Sequence, residues 1–291
     1  MSTLRYKTDF SDLRSKIEKT KRIMGYTSES GYSSDEDNYY RQELNQFRRK
    51  YKVLGLARKS SHAKIYAGNC RKTGQQVVVK VLQKKAKMNK WCPEARAHFA
   101  AASADPSGTA LLLDVFERTE DILLVIEKPE NSLDLLELIN SYGPLRLSMV
   151  KNIIHQVAQS YCKYKSANIF HGDIKDENIL LNPQSGKVKI IDFGNAQKYS
   201  ETLESTSLGT PDYSPPEATS SKVIKSDSAT VYVLGCLAFI SLTGECPFDQ
   251  KYTFDFQRQV LLNPNLDLPE IRFLSKLLHP KPEARELMAS L

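Results

Sequence analysis

Cysteine is scarce in this chain and never paired in sequence. The five cysteines (Cys70, Cys92, Cys162, Cys236 and Cys246) include no CxxC unit, and their number is odd. Such a set argues against a disulfide framework or a thiolate zinc site and predicts reduced thiols in cytoplasm or nucleus. Long apolar runs are also missing. Ile122–Ile126 and Val231–Leu242 are too short or too interrupted to span a bilayer, and Met1–Tyr6 lacks the apolar core of a signal peptide, so no membrane role is expected. Tryptophan occurs once, and no G-x-G-x-x-G run occurs anywhere. The net charge of +7 invites a nucleic-acid reading. Its basic clusters, Lys16–Arg22 and Lys84–Lys90, are short and carry no interleaved aromatics, so they suit solubility, docking or nuclear import better, and direct nucleic-acid binding is not expected.

What the chain does have is concentrated in two short segments. Residues 171–178 are His-Gly-Asp-Ile-Lys-Asp-Glu-Asn, and Asp192-Phe193-Gly194 follows after an apolar hairpin pattern. Together they suggest phosphoryl transfer from ATP. Asp173 can accept a proton from a hydroxyl, and Lys175 can neutralise a moving phosphoryl group. Asn178 and Asp192 supply oxygen ligands for Mg²⁺. Either segment alone would mean little; the spacing of the two is what makes the signal.

Around these segments the pattern divides the chain. Residues 1–50 are polar and predict a flexible tail with a short helix over Asp9–Met24. The stretch Tyr26–Asp37 has no aliphatic residue and should be disordered. Ser33 and Ser34 each have an acid three residues ahead, which suits an acidophilic kinase, and Glu29–Ser34 approximates a phosphodegron; a merely solvated tail is the plain alternative. Tyr51–Leu56, Ala63–Asn69 and Gln76–Leu82 look like strands, Trp91–Ala102 like a short helix, and Leu111–Glu117 with Asp121–Glu127 like a hairpin. Beyond Pro129, helices are expected at Leu133–Ser141, Ser148–Ala167, Thr230–Thr243 and Leu268–Leu278. A strand-rich half precedes a helix-rich one, with the catalytic segments early in the second. His171 is expected to pack rather than titrate, and Phe116 and Phe193 belong to cores.

Over residues 51–291 the chain resembles eukaryotic-type protein kinases, and within them the Pim family of serine/threonine kinases. The likeness rests on Glu127-Lys128-Pro129-Glu130, on Asp173–Leu180, on Tyr213-Ser214-Pro215-Pro216-Glu217, and on Thr230–Gly235, where most kinases begin a helix with aspartate. Proline at 129 removes a backbone N–H that most kinases offer ATP. The resemblance implies an α+β, bilobal protein kinase fold, with a small antiparallel-sheet N-lobe and hinge (51–129) and a larger helical C-lobe (130–291). It implies ATP and Mg²⁺ as cofactors and protein substrates with basic residues ahead of the acceptor serine or threonine; nothing in the sequence requires more than a monomer.

Carried over by position, Asp173 is the catalytic base and Lys175 steadies the γ-phosphate, with Ser/Thr rather than Tyr specificity. Asn178 and Asp192 hold the metal. The nucleotide is approached by Lys80, Glu127, Arg58, Ser60, Ala63, Ile65 and Val78. Glu94 is the only acid between Lys80 and Asp105, and is taken as the partner of Lys80. Asp134, Glu137, Glu177 and Thr210 fall at substrate-facing positions, although Asp134 and Glu137, one helical turn apart, also fit a solvated face. Glu217 and Arg285 are expected to pair.

The pattern is broken in three places. The three loop glycines are replaced by Arg58, Ser60 and Ala63, which predicts a stiffer or displaced phosphate loop and weaker ATP binding. Gly172 stands where regulated kinases have an arginine that grips activation-segment phosphate, which predicts constitutive or tail-regulated activity. Val78 adds bulk above the adenine. The alternative to an enzyme is therefore a pseudokinase scaffold that binds kinase partners without catalysis.

Overall fold

The computed structural model describes residues 34–59, 63–85, 88–245 and 260–285. The Asp9–Met24 helix, the Glu29–Ser33 stretch and Ser60 lie outside them. The described chain separates into two compact units. One holds the residues up to Arg96 with Leu111–Lys128; the other holds Ala97–Ala110 and everything from Pro129 onward.

The first unit is an antiparallel sheet with strand order β1-β2-β3-β5-β4. Its strands are β1 (Tyr51–Lys59), β2 (Ala63–Cys70), β3 (Gln76–Gln83), β4 (Leu112–Glu117) and β5 (Asp121–Glu127). The β-branched run Val77–Val81 makes β3 a central strand, and Val77 and Val79 are buried with Leu123, Val125 and Phe116. β1 runs further than its sequence suggests. Arg58 and Lys59 remain in register with Ile65 and Lys64, because neither is a glycine that would release the ladder. Two register shifts, at Val53/Gly55 and Leu56/Arg58, bend the strand instead.

The expected tail also ends early. Residues 34–50 form a helix, α1 (Ser34–Lys50), that packs on β4. Phe47 enters the sheet's apolar cluster, its ring 5.4 Å from that of Phe116 and 5.9 Å from that of Tyr51. Lys50 and the Tyr51 hydroxyl both bond Asp114, at 3.0 and 2.6 Å. α2 (Pro93–Ala104) starts with proline in its first turn and Glu94 beside it. Its first residues belong to this unit and the rest to the other.

The second unit is mainly helical: α3 (Leu135–Tyr142), α4 (Leu147–Ser166), α5 (Glu217–Ser220), α6 (Ser226–Thr243) and α7 (Leu268–Leu277). Short strands lie between them: β6 (Leu133–Asp134), β7 (Ile169–Phe170), β8 (Ile179–Asn182), β9 (Lys187–Ile190), β10 (Gln197–Lys198), β11 (Thr202–Glu204) and β12 (Val223–Lys225). α6 is apolar all round, the mark of a helix enclosed by protein. It is long and apolar enough to cross a membrane, yet 89% of it is buried, with α4, α7 and β12 packed against it. It begins at Ser226, four residues before the predicted start, and ends on Gly244 in the left-handed conformation. α7 opens on a full capping box between Asp267 and Glu270.

One buried network ties the end of α2 to α4. Asp105 accepts from Ser160 at 2.7 Å and from Lys163 at 2.8 Å. Burial pushes its carboxyl up, but the bonds from Lys163, Ser160 and Ser107 outweigh that and leave it below the ordinary value. Gly108 closes this corner: a Cβ there would stand 2.2 Å from an Asp105 carboxylate oxygen.

Candidate active site

In the first unit Lys80 sits on β3, opposite Ile65 on one side and Leu124 on the other. Its side chain is 9% exposed, and its ammonium lies 2.7 Å from an equally buried Glu94 oxygen. A charge pair this dry is held only when both partners are fixed, and α2 fixes Glu94 at its first turn. Val78 lies opposite Ala67 and Ile126, and Ala63 is buried opposite Leu82. Arg58 is exposed near the end of β1. Glu127 ends β5 with its carboxylate taking the Leu111 N–H at 3.0 Å and its own N–H given to the Leu111 carbonyl.

The second unit gathers the remaining groups on irregular backbone between β7 and β8. Asp173 Oδ1 accepts from the Thr210 hydroxyl at 2.6 Å, while Oδ2 lies 3.3 Å from Asn178 Nδ2 and 3.4 Å from the Lys175 ammonium. Lys175 also reaches Thr210 Oγ1 at 3.2 Å and Glu177 at 3.5 Å. Asn178 Nδ2 bonds the Asp173 carbonyl at 2.8 Å, so the amide oxygen is the atom left to meet a cation. The segment thus arranges a carboxylate, an ammonium and a hydroxyl within hydrogen-bond reach of one another.

Asp192 has φ 64°, the left-handed region that a non-glycine residue enters only when its surroundings enforce it. Its Oδ1 takes the Gly194 N–H at 3.1 Å, the local bond that makes aspartate tolerant of this conformation. Phe193 next to it is fully buried, with ring centroids of His171, His98 and Tyr164 within 4.7, 4.9 and 5.7 Å. His171 is buried between the Ile191 carbonyl and the Asp173 N–H, at 3.1 and 3.2 Å.

Asp134 serves first as the N-cap of α3, accepting from the Glu137 N–H at 2.7 Å. Glu137 is exposed on the same turn. α3 packs against the single turn of 3-10 helix at Asp176–Asn178. Burial raises the Asp176 carboxyl, and the nearby charges of Glu177 and Asp134 raise it further. Asp134 and Glu177 therefore lie close to Asp176, which is itself buried under the Tyr213 hydroxyl.

Several constraints at the site give no signal in sequence. Gly209 has no recognisable motif, yet a Cβ there would stand 2.8 Å from Asp173 Oδ1 and 2.5 Å from the Asn195 amide. Gly172 has φ 80° and would place a Cβ 2.5 Å from the Asn195 carbonyl, so the residue that replaces an arginine also meets a close backbone approach. Asp176 accepts from the Tyr213 hydroxyl at 3.0 Å, which fixes the turn carrying Asn178. The sequence offers Tyr213 only as part of the Ser-Pro-Pro-Glu segment, with no sign of this partner.

Residues 192–217 are held by backbone pairing along their middle and by one ion pair at their end. β11 pairs with β12, Leu203 opposite Ile224, and both side chains are buried with Tyr161, Phe170 and Ala229. The Ser226 N–H bonds the Glu201 carbonyl at 3.0 Å, and the Ser205 N–H bonds the Lys222 carbonyl at 2.9 Å. At the far end Arg285 grips Glu217 through two parallel bonds of 2.6 and 2.7 Å.

A protein kinase domain model matches residues 52–291. Among similar proteins, serine/threonine-protein kinase pim-2 of Danio rerio is 29% identical over 220 residues, covering 70% of this chain and 71% of that one. Serine/threonine-protein kinase PLK4 of Nematostella vectensis is 32% identical over 83% of this chain, which spans 24% of that protein. Serine/threonine-protein kinase prk-2 of Caenorhabditis elegans is 33% identical over 48% of this chain and 32% of its own length.

Proposed function

The chain belongs to the protein kinase domain family, and from that membership we propose that it transfers the γ-phosphoryl group of Mg·ATP to serine or threonine hydroxyls of proteins with basic residues ahead of the acceptor. The observation that carries this reading is the group around Asp173. Its Oδ1 already receives one hydroxyl, that of Thr210, at 2.6 Å. An acceptor hydroxyl offered to the same carboxylate gives up its proton as its oxygen bonds the γ-phosphorus, and the bond to the β–γ bridging oxygen breaks to release ADP. Lys175, held by Asp173 and Glu177, supplies positive charge to the moving group. Lys80, kept in place by Glu94, would hold the α- and β-phosphates.

Asn178 and Asp192 provide hard oxygen donors of the kind Mg²⁺ takes together with phosphate oxygens. When bound, the ion would draw off phosphate charge. The accessible carboxylates of Asp134 and Glu137 on α3 and of Glu177 on the adjoining turn support a preference for arginine-rich sequences. The reading includes a monomer in cytoplasm or nucleus, in keeping with Cys70, Cys92, Cys162 and Cys236 not being joined in disulfides.

The test is transfer from Mg·ATP to an arginine-rich serine peptide, with the melting temperature measured with and without nucleotide. Measurable transfer that falls when the arginines are replaced is expected. A folded protein with no transfer and no nucleotide-dependent melting shift at millimolar ATP would instead establish the scaffold reading, which the extension of β1 through Arg58 and Lys59 favours.

Backbone pairing of β11 with β12 also predicts that residues 192–217 need no phosphate to order them. Replacing Thr202, Ser205, Thr206 and Ser207 together by alanine is expected to leave turnover within about twofold, the scatter of ordinary surface substitutions. A large gain in turnover of the native chain on phosphorylation at these positions would overturn that expectation.

A further inference from the structure

We propose that Glu43, on a helix that precedes the matched kinase domain, is a positioning residue for the Lys80–Glu94 pair; the proposal rests on the kinase reading for its consequence and on geometry for its cause. The domain match begins at residue 52, so α1 lies ahead of the matched region.

Lys80 and Glu94 stand at opposite ends of one connection. Four residues after Lys80 comes Lys84, and four before Glu94 comes Lys90. Both lysines are tied to two buried carboxylates. Glu117, 3% exposed at the end of β4, takes the Lys84 ammonium at 2.8 Å on Oε1 and the Lys90 N–H at 3.1 Å on Oε2. Glu43, 8% exposed on α1, takes the Lys90 ammonium at 3.0 Å on Oε1 and the Glu117 N–H at 3.1 Å on Oε2. The α1 tyrosines complete the enclosure: Lys84 lies 4.8 Å from the Tyr40 ring centroid and Lys90 5.7 Å from that of Tyr39.

The result is a closed set of two acids and two bases, with one acid on β4 and the other on α1. Charges buried this far are costly when a partner is lost, so the set has one arrangement in which all four are satisfied. That arrangement sets where the chain enters α2. Lys90 is followed by Trp91 and Cys92, both buried, and then by the first turn that presents Glu94 to Lys80. Without Glu43, the Lys90 ammonium loses its carboxylate and the Glu117 N–H its acceptor, and the entry to α2 is freed from α1. The Lys84–Lys90 cluster, which the composition assigns to solubility or docking, has both its end lysines committed inside this unit.

The experiment uses the full chain. Hydrogen exchange across residues 88–96 is followed by mass spectrometry, alongside the KM values for ATP and for peptide. Glu43→Ala is expected to speed exchange of the Lys90 and Arg96 amides about tenfold and to raise the KM for ATP by a similar factor, with the peptide KM unchanged. Glu43→Gln, which keeps an acceptor for the Glu117 N–H, should fall between and guards against a variant that does not fold. Phe47→Leu loosens the same helix without touching the carboxylate and should leave residues 88–96 as protected as in the native chain. Unchanged exchange in Glu43→Ala, or equal acceleration in Phe47→Leu, overturns the proposal. Faster exchange in a chain whose native form transfers no phosphate supports the positioning role and sinks the enzyme reading, so the two fail separately.

Discussion

Asp173→Asn is expected to lower kcat by on the order of 10²–10⁴ while the protein stays folded. The amide removes the base and leaves a group of the same size, so the packing around it is kept. Its orientation is constrained by its neighbours. Thr210 donates to Oδ1, whereas Asn178 Nδ2 and the Lys175 ammonium both crowd Oδ2 as donors. An asparagine must therefore point its oxygen at one side and its NH₂ at the other. With the oxygen toward Asn178 and Lys175, the NH₂ faces Thr210, whose hydroxyl can turn and accept. The variant thus has a satisfied arrangement without any group able to take a proton. Phosphate transfer measured against a melting curve checks both halves: near-native turnover would remove Asp173 from the mechanism, and a collapsed melting temperature would show that its role is structural.

How far the sequence carries this site depends on whether a residue acts through its type or through its surroundings. Asp173, Lys175, Asn178 and Asp192 stand out in sequence because phosphoryl transfer, as proposed, needs those functional groups at that spacing, and the first three meet in the structure. Glu94 is legible by elimination, since no other acid lies between Lys80 and Asp105, and the two meet at 2.7 Å. Gly209 and Gly172 are not legible as constraints, because what they avoid, the Asp173 carboxylate and the Asn195 backbone, is brought to them by distant chain. Arg58 was legible as a lost glycine, but continuation of β1 past it follows from the partner strand, Ile65 and Lys64 holding the register.

The same distinction explains α1. Its sequence offers Leu44 and Phe47, with the half-polar Tyr39 and Tyr40, amid charged residues, and so reads as part of a polar tail. What docks the helix is Glu43 meeting Lys90 and the Glu117 amide, together with Lys50 meeting Asp114. These are contacts between residues far apart in sequence, and a pattern of local charges cannot announce them. Secondary structure elsewhere was easier to read where the apolar period was long, as in α4. Boundaries moved where a cap decided them, as at Asp134, which the strand-to-helix count had placed inside the helix and which instead closes its N-terminus.

Arg285→Ala is expected to cost about 3–5 kcal/mol, the usual consequence of removing one partner of a buried ion pair. The guanidinium side chain is 1% exposed and nearly all its donors are used. Two go to Glu217, Nε goes to the His279 carbonyl at 2.9 Å, and Nη1 also reaches the Ser228 carbonyl at 3.0 Å. Its flat face lies 4.9 Å from the Tyr232 ring centroid. Truncation therefore strands two carbonyls and a carboxylate that is itself 16% exposed. A chain of this size should then melt roughly 10 °C lower. Arg285→Lys keeps the charge but not the fork, and belongs between the two. Adding Glu217→Gln to Arg285→Ala should cost less than the sum of the single changes, because the uncompensated carboxylate is gone. Since Glu217 begins α5, immediately before the strand β12 that pairs with β11, loss of the pair should also reduce turnover at temperatures well below melting. Strict additivity in the double variant, with turnover unchanged, would mean that Arg285 works through its carbonyl and ring contacts and that Glu217 is dispensable to the segment it ends.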